Sequence, residues 1–339
     1  MRFASICRDR SLIPRGAWWL VLVAACAVGP PWTGAPGAQD PVGTPGSSSV
    51  FRSGTALVVL QVSVADARHR YVPGLRVDDF AVFEEGVSQR VSLFASATVP
   101  LDLLLLLDVS SSMAGRLPLA QEAAATLVGA LRPGDRAGAI LFHERVEIAH
   151  PLSEDRPAVV QAIRAARAGG ATALHEAVYI GLRDFERVRR AGELMRRQAM
   201  VILSDGSDNR SRIDGEELLD AARRSAVTLF TIVPAPRDIM VPAPWMGGDG
   251  GGVFEMRRLS HDTGGRHFAP AGGGDLAAIY QDIAGELGEQ YWLAYVPTPV
   301  PPPGFRRVSV RVAEHPDLRA RTRSGYYASA PRRPATARP

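Results

Sequence analysis

LLLLLDVSSSMAG, residues 103–115, carries the strongest local pattern in the chain. Five consecutive leucines, Leu103 to Leu107, read as a strand buried on both faces, as in a parallel sheet covered by helices. The run ends in Asp108, followed by Ser110, Ser111 and Ser112. A carboxylate or hydroxyl at a strand-to-helix junction ordinarily caps the helix by accepting from its first free backbone N–H groups, and one such residue suffices. Alternating oxygens at positions 108, 110 and 112 therefore point to a second use.

Downstream of this strand the pattern alternates between helices and strands. PLAQEAAATLVGALRPG puts Ala120, Ala123, Ala124, Leu127 and Leu131 on one helical face, with Pro118 in the first turn and Pro133-Gly134 as a stop. RAGAILFHERVEIAHPL reads as two strands, and helices are expected over 156–167 and 173–190. AMVILSD is a second buried strand ending in a carboxylate, and Val227 to Val233 a third buried strand. Further helices are expected over 216–225, 254–261 and 275–288. This predicts an α/β, doubly wound, mostly parallel domain over 98–289, flanked by N- and C-terminal β segments.

The flanks read as β. Val58, Leu60, Val62 and Val64 alternate with polar or smaller residues, and FAVFEEGVSQRVSLF holds two apolar runs joined at Glu85-Gly86, a hairpin signal. These form an expected N-terminal β segment over 51–97. YWLAYVP and RRVSVRV return to strand alternation in a C-terminal β segment over 290–327, followed by an expected disordered tail over 328–339.

Residues 1–38 have the form of a signal peptide: Arg2, Arg8, Arg10 and Arg15 precede the apolar stretch AWWLVLVAACAV, residues 17–28. PVGTPGSSS lies in a linker over 39–50. Export to the periplasm or outside the cell is therefore expected, with cleavage after Ala38 or, alternatively, lipidation at Cys26 in the lipobox-like VAAC; membrane attachment is expected only in the second case. Both cysteines, Cys7 and Cys26, fall in the leader, so the remainder holds no disulfide. Removing the leader's four arginines and one aspartate from the chain's net charge of +4 leaves about +1, which gives no argument for nucleic acid. All 39 basic residues are arginine, which excludes a P-loop lysine, a Schiff-base lysine and a Ser-Lys dyad.

Ligands of a parallel sheet bind outside the carboxyl ends of its strands. Three oxygen-bearing stretches fall there: DVSSS at 108–112, GGATALHE with Thr172, and LSDGSDN with Asp205. In this order and spacing they resemble the metal-ion-dependent adhesion site of the von Willebrand factor A family: D-x-S-x-S, a distant Thr, and a distant Asp after a hydrophobic strand. The resemblance covers about 99–287, and the flanks are similar to bacterial secreted proteins with a VWFA-related domain. It implies a bound divalent cation, Mg²⁺ (or Mn²⁺ or Ca²⁺), held by Asp108, Ser110, Ser112, Thr172 and Asp205, with the hydroxyls touching the metal and the aspartates acting directly or through water.

Mg²⁺ takes six hard oxygens, and a ligand set rich in neutral hydroxyls leaves it electrophilic and open to an acidic side chain. The expected function is adhesion or scaffolding through a protein partner that presents an Asp or Glu. Such a site supplies no nucleophile or general base, so no catalytic residue is assigned. Two rivals are a structural envelope module whose metal only ties loops together, and a metal-dependent phosphohydrolase. The latter normally carries a second acid two residues after its nucleophile, where this chain has Ser110. DGSDNRSRIDGE has calcium-loop spacing, but Arg210 occupies the glycine position. His175 reads first as a helix-surface residue, with an approach to the metal loop as the alternative. The loop from Pro234 to Gly252 is expected to rim the metal and to offer Trp245 and Met246 to the partner, since both types are enriched at interface centres.

Overall fold

The computed structural model describes residues 57–96, 99–190, 196–234, 250–270 and 276–328. The expected leader with Cys26, the linker, most of the tail, and the rim residues Trp245 and Met246 lie outside them.

The α/β part is one six-stranded sheet. In chain order its elements are β5 (Leu101–Asp108), α1 (Leu117–Gly129), β6 (Arg136–Phe142), β7 (Val146–Ser153), α2 (Arg156–Ala165), α3 (Leu174–Arg190), β8 (Arg197–Leu203), α4 (Gly215–Arg224), β9 (Thr228–Ile232), α5 (Gly250–Thr263), β10 (His267–Phe268) and α6 (Leu276–Gly288). The strand order is β10-β9-β8-β5-β6-β7, all parallel except β7, which returns antiparallel on β6. β5 sits inside the sheet, and its leucines serve both faces. Leu101, Leu103, Leu105 and Leu107 pack with α1, α2 and α6, while Leu104 and Leu106 pack with α3, α4 and α5. The two-sided burial is the reason for an unbroken apolar run. At the base of the strand the fully buried Asp102 is neutralised by Arg136, through bonds of 2.8 and 2.7 Å, and by Arg196 at 2.6 Å.

The flanking segments pair with each other. β1 (Val58–Ala65), β2 (Phe80–Glu84), β3 (Val87–Gln89) and β4 (Val91–Ala95) precede the α/β part; β11 (Tyr291–Tyr295), β12 (Gly304–Val312), β13 (Arg319–Arg321) and β14 (Gly325–Ala328) follow it. They form two four-stranded sheets, β13-β1-β11-β4 and β14-β12-β2-β3. A common core joins them: Val58, Leu60, Val62 and Val64 meet Tyr291, Leu293 and Tyr295 from one sheet, and Phe80, Val82, Val308 and Val310 from the other. The α/β part is thus inserted between two adjacent strands of a β-sandwich, β4 and β11.

Two details depart from the sequence pattern. The second run of FAVFEEGVSQRVSLF is not one strand: it turns a corner at Arg90, giving β3 to one sheet and β4 to the other. Its first turn is a tight hairpin in which Glu85 and Gly86 both have positive φ, 48° and 83°. β14 also takes in Ala328, which alternation had left to the tail.

The sandwich is locked to the α/β part through Glu286 of α6, whose side chain is 0% exposed. Its carboxylate accepts from Ser63 Oγ (2.8 Å) and pairs with Arg321, while Tyr71 OH lies 2.9 Å away and accepts from Arg266. On the outer face of β1, Gln61 Nε2 donates to Ala226 O at 2.8 Å. Removing one partner of a buried, hydrogen-bonded charge set leaves the others unpaired and costs about 3–5 kcal/mol. Glu286→Ala should therefore lower the unfolding free energy by about that amount in urea titration. A loss within experimental error would show that the network does not hold the two parts together.

Candidate metal centre

Three loops meet at the carboxyl edge of the parallel sheet: loop 1 after β5 (108–113), loop 2 before α3 (166–173) and loop 3 after β8 (204–214). They form a closed triangle of hydrogen bonds. Loop 1 joins loop 2 through Ser111 N–H to Gly170 O (3.1 Å) and Gly169 N–H to Val109 O (2.7 Å). Loops 2 and 3 are joined reciprocally: Thr172 N–H donates to Asn209 Oδ1 (3.0 Å), and Asn209 N–H to Thr172 O (3.1 Å). Loop 3 returns to loop 1 through Ser204 Oγ, which donates to Asp108 Oδ2 at 2.6 Å.

Two glycines allow the loops to close. Gly170 has φ +80°, and a Cβ there would stand 3.2 Å from His143 Nδ1. Gly206, at φ +86°, turns the chain directly after Asp205 and carries the first turn of α5 against its backbone.

All five expected ligand residues lie in this triangle. Asp108 and Ser110 are buried, as is Thr172; Asp205 is half-buried and Ser112 exposed. Asp108 Oδ1 accepts from Ser110 N–H at 2.8 Å, and the Ser110 and Ser112 hydroxyl oxygens are 3.0 Å apart. Among the described residues the Thr172 hydroxyl and Asp205 Oδ2 have no hydrogen-bond partner, whereas Asp205 Oδ1 accepts from Ser207 N–H at 3.0 Å. Burial pushes the Asp108 carboxyl above its usual range; its hydrogen bonds from Ser110 and Ser204 work against this, and the neighbouring Asp205 charge adds to it. Among the described residues no arginine pairs with Asp108, in contrast to Asp102 at the other end of the same strand.

The residues that pattern reading missed are the ones that hold these in place. Ser204 precedes the conspicuous Asp205 and looks like an ordinary strand end, and Asn209 stands out in sequence only through the calcium-loop spacing of DGSDNRSRIDGE. Asp208 accepts from His175 N–H (2.7 Å) and from Ser211 N–H (3.0 Å), which lower its carboxyl pKa against the opposing effect of burial. His175 is not a surface residue: its side chain is 12% exposed and bridges Ile213 O (3.0 Å) and Glu255 Oε2 (2.9 Å), tying α3 to loop 3 and α5. Next to Glu255, Phe254 is 63% exposed, while its other neighbour Val253 packs on Gly206. Phe254 is thus an open aromatic face at the edge of the loops.

Residues 102–261 match the von Willebrand factor type A domain. No curated protein matches the chain. Among solved structures it is similar to the conserved hypothetical protein BatB from Bacteroides thetaiotaomicron, at 19% identity over 54% of this chain and 97% of that one, with a TM-score of 0.42. A von Willebrand factor type A protein from Catenulispora acidiphila matches at 12% identity over 83% of this chain and 74% of that one, with a TM-score of 0.47. Proximal thread matrix protein 1 from the mussel byssus, with a zinc occupied MIDAS motif, matches at 17% identity over 57% of this chain and 49% of that one, with a TM-score of 0.46.

Two variants separate the charge of Asp108 from its hydrogen bonds. Ser204→Ala removes a donor to a buried carboxylate and should cost about 1.5–3 kcal/mol of stability in chelator. Asp108→Asn keeps an oxygen for Ser110 N–H and removes the charge. Because the folded pKa of Asp108 is raised, the wild type in chelator gains stability as pH falls through that pKa and lacks it near neutrality. Asp108→Asn should therefore melt above the wild type near neutral pH, with the gap closing on acidification. A variant that melts below the wild type near neutral pH would mean that the buried charge carries no such penalty.

Proposed function

Because residues 102–261 are a von Willebrand factor type A domain, we propose that the chain is a metal-dependent protein-binding module, acting in adhesion or scaffolding and not in catalysis. The observation that carries this reading is the convergence of oxygens at one edge of the sheet. Among the described residues Asp108 is buried and unpaired with any arginine, and the Thr172 hydroxyl and Asp205 Oδ2 have no partner beside it. This donor set fits a hard divalent cation: oxygen throughout, two carboxylates and three hydroxyls. Asp108, Ser110, Ser112, Thr172 and Asp205 would hold Mg²⁺, Mn²⁺ or Ca²⁺. Bound there, the cation would supply a Lewis-acidic position for a carboxylate oxygen from outside the chain.

The three loops are already tied by the protein's own bonds, so a cation is not needed to join them. That favours a recognition role over a purely structural one. The proposed partner presents an Asp or Glu to the metal and an apolar surface to Phe254, to which Trp245 and Met246 would add from the neighbouring loop. In the same reading residues 1–38 direct export to the periplasm or outside the cell, either cleaved after Ala38 or lipidated at Cys26.

Calorimetric titration of the mature protein with MgCl₂ is expected to give one site, lost in Asp108→Ala and Thr172→Ala while circular dichroism shows both folded. Unaltered Mg²⁺ affinity in both variants would remove the metal reading. Partner binding is tested separately. Capture of an envelope protein in Mg²⁺, its release by chelator and its absence with Asp108→Ala are expected. Phe254→Ser should weaken capture about tenfold, the effect of roughly 1.4 kcal/mol, with Mg²⁺ affinity unchanged. Equal capture by Phe254→Ser would exclude this side chain from the partner surface.

A further inference from the structure

α3 runs from the metal loops to the opposite end of the domain, and there it opens a cleft of about 210 Å³ against the end of α4 and the starts of β8 and β9. The cleft has an apolar floor and a basic rim. Leu182, Ala221 and Val227 line the floor; Arg183, Arg189 and Arg224 stand around it, and Glu186 is the single acidic residue lining it. Arg183 approaches Glu186 at 3.7 Å. Arg224 is held by stacking on Tyr327, its guanidinium carbon 3.8 Å from the ring centroid, and that ring is fixed in turn by the Tyr327 hydroxyl donating to Asp220 Oδ1 at 2.8 Å. Stacking occupies the face of a guanidinium and leaves its N–H edge free. Among the described residues neither Arg189 nor Arg224 has a carboxylate or carbonyl partner for its side chain. Arg189 also stands close enough to Arg323 to help burial pull the pKa of that guanidinium down to about 10, and among the described residues lining the cleft three arginines face one acid, Glu186.

From this we infer that the cleft binds a small organic monocarboxylate, its apolar body on Leu182, Ala221 and Val227 and its carboxylate between Arg189 and Arg224. Planar guanidinium edges match a carboxylate fork. The apolar floor favours a hydrocarbon body over a bare inorganic anion, and Glu186 disfavours a dianion. The volume is below the roughly 300–1,000 Å³ of pockets for drug-sized ligands and suits a small ligand. The cleft shares no residue with the metal centre, so this inference stands independently of the function proposed above.

The test uses the full mature chain and a panel of straight-chain alkanoates from butanoate to octanoate with phenylacetate and 3-phenylpropionate, each beside its primary amide, with inorganic phosphate as the bare anion. Calorimetry should give saturable one-to-one binding for at least one carboxylate and none for its amide. Arg189→Gln and Arg224→Gln should each weaken that binding about tenfold. Mg²⁺ affinity and the thermal midpoint should be those of the wild type, which separates a lost ligand contact from misfolding. The inference is overturned if no carboxylate saturates, if the amide binds as well, if phosphate binds as tightly, or if the two arginine variants bind like the wild type.

Discussion

Ser204 Oγ donates to Asp108 Oδ2 at 2.6 Å, and this bond holds a buried carboxylate in place at the end of β5. The two ends of β5 face the same problem, a carboxylate out of water, and solve it differently. Asp102 is surrounded by the guanidinium groups of Arg136 and Arg196, which make it a structural anchor with nothing left to offer. Among the described residues Asp108 receives hydroxyl and amide donors and no guanidinium, so it stays folded in place while its charge remains available. A neutral donor is what allows one strand to be both a core element and the support of a site.

Around that bond the loop triangle has a definite division of labour. Backbone groups join loops 1 and 2, a side-chain amide joins 2 and 3, and a hydroxyl joins 3 and 1. The Thr172 hydroxyl and Asp205 Oδ2 are positioned without being consumed, while both Asp108 oxygens also accept a hydrogen bond of the scaffold. The His175–Glu255 contact extends this scaffold to α5 and fixes the turn that presents Phe254. Rigidity at the base and exposure at the edge come from the same few residues.

The parts of the fold that alternate strongly could be read from residues alone. The leucine run, the two buried strands ending in carboxylates and the amphipathic helices each carry enough period to place themselves. What pattern could not give were features set by distant partners. Arg90 looks like any polar residue within a strand, yet the chain changes sheets there, because the core to be covered belongs to both sheets. β10 is two residues long and exists only because β9 offers an edge. At the centre, the oxygens pointing toward the site were conspicuous by spacing. Ser204, Asn209 and Asp208 were not, since their roles follow from the loops that meet them and not from their neighbours in sequence. The burial of His175 is hidden for the same reason: its surroundings come from loop 3 and α5.

The interrupted sandwich also imposes an order in time. β4 and β11 are neighbours in one sheet, yet 195 residues lie between Ala95 and Tyr291. At about 5–20 residues per second of synthesis, on the order of 10–40 s separate the emergence of these two strands. During that interval β1, β2 and β4 have made their alternating apolar faces but lack β11, β12 and β13 to cover them. The inserted domain has a core of its own on each face of its sheet, so it can close before the late strands arrive and bring its two ends to the place where they must dock. For a chain of this topology the nascent N-terminal strands are the segment most in need of a holding factor, and the last residues synthesised decide when that need ends.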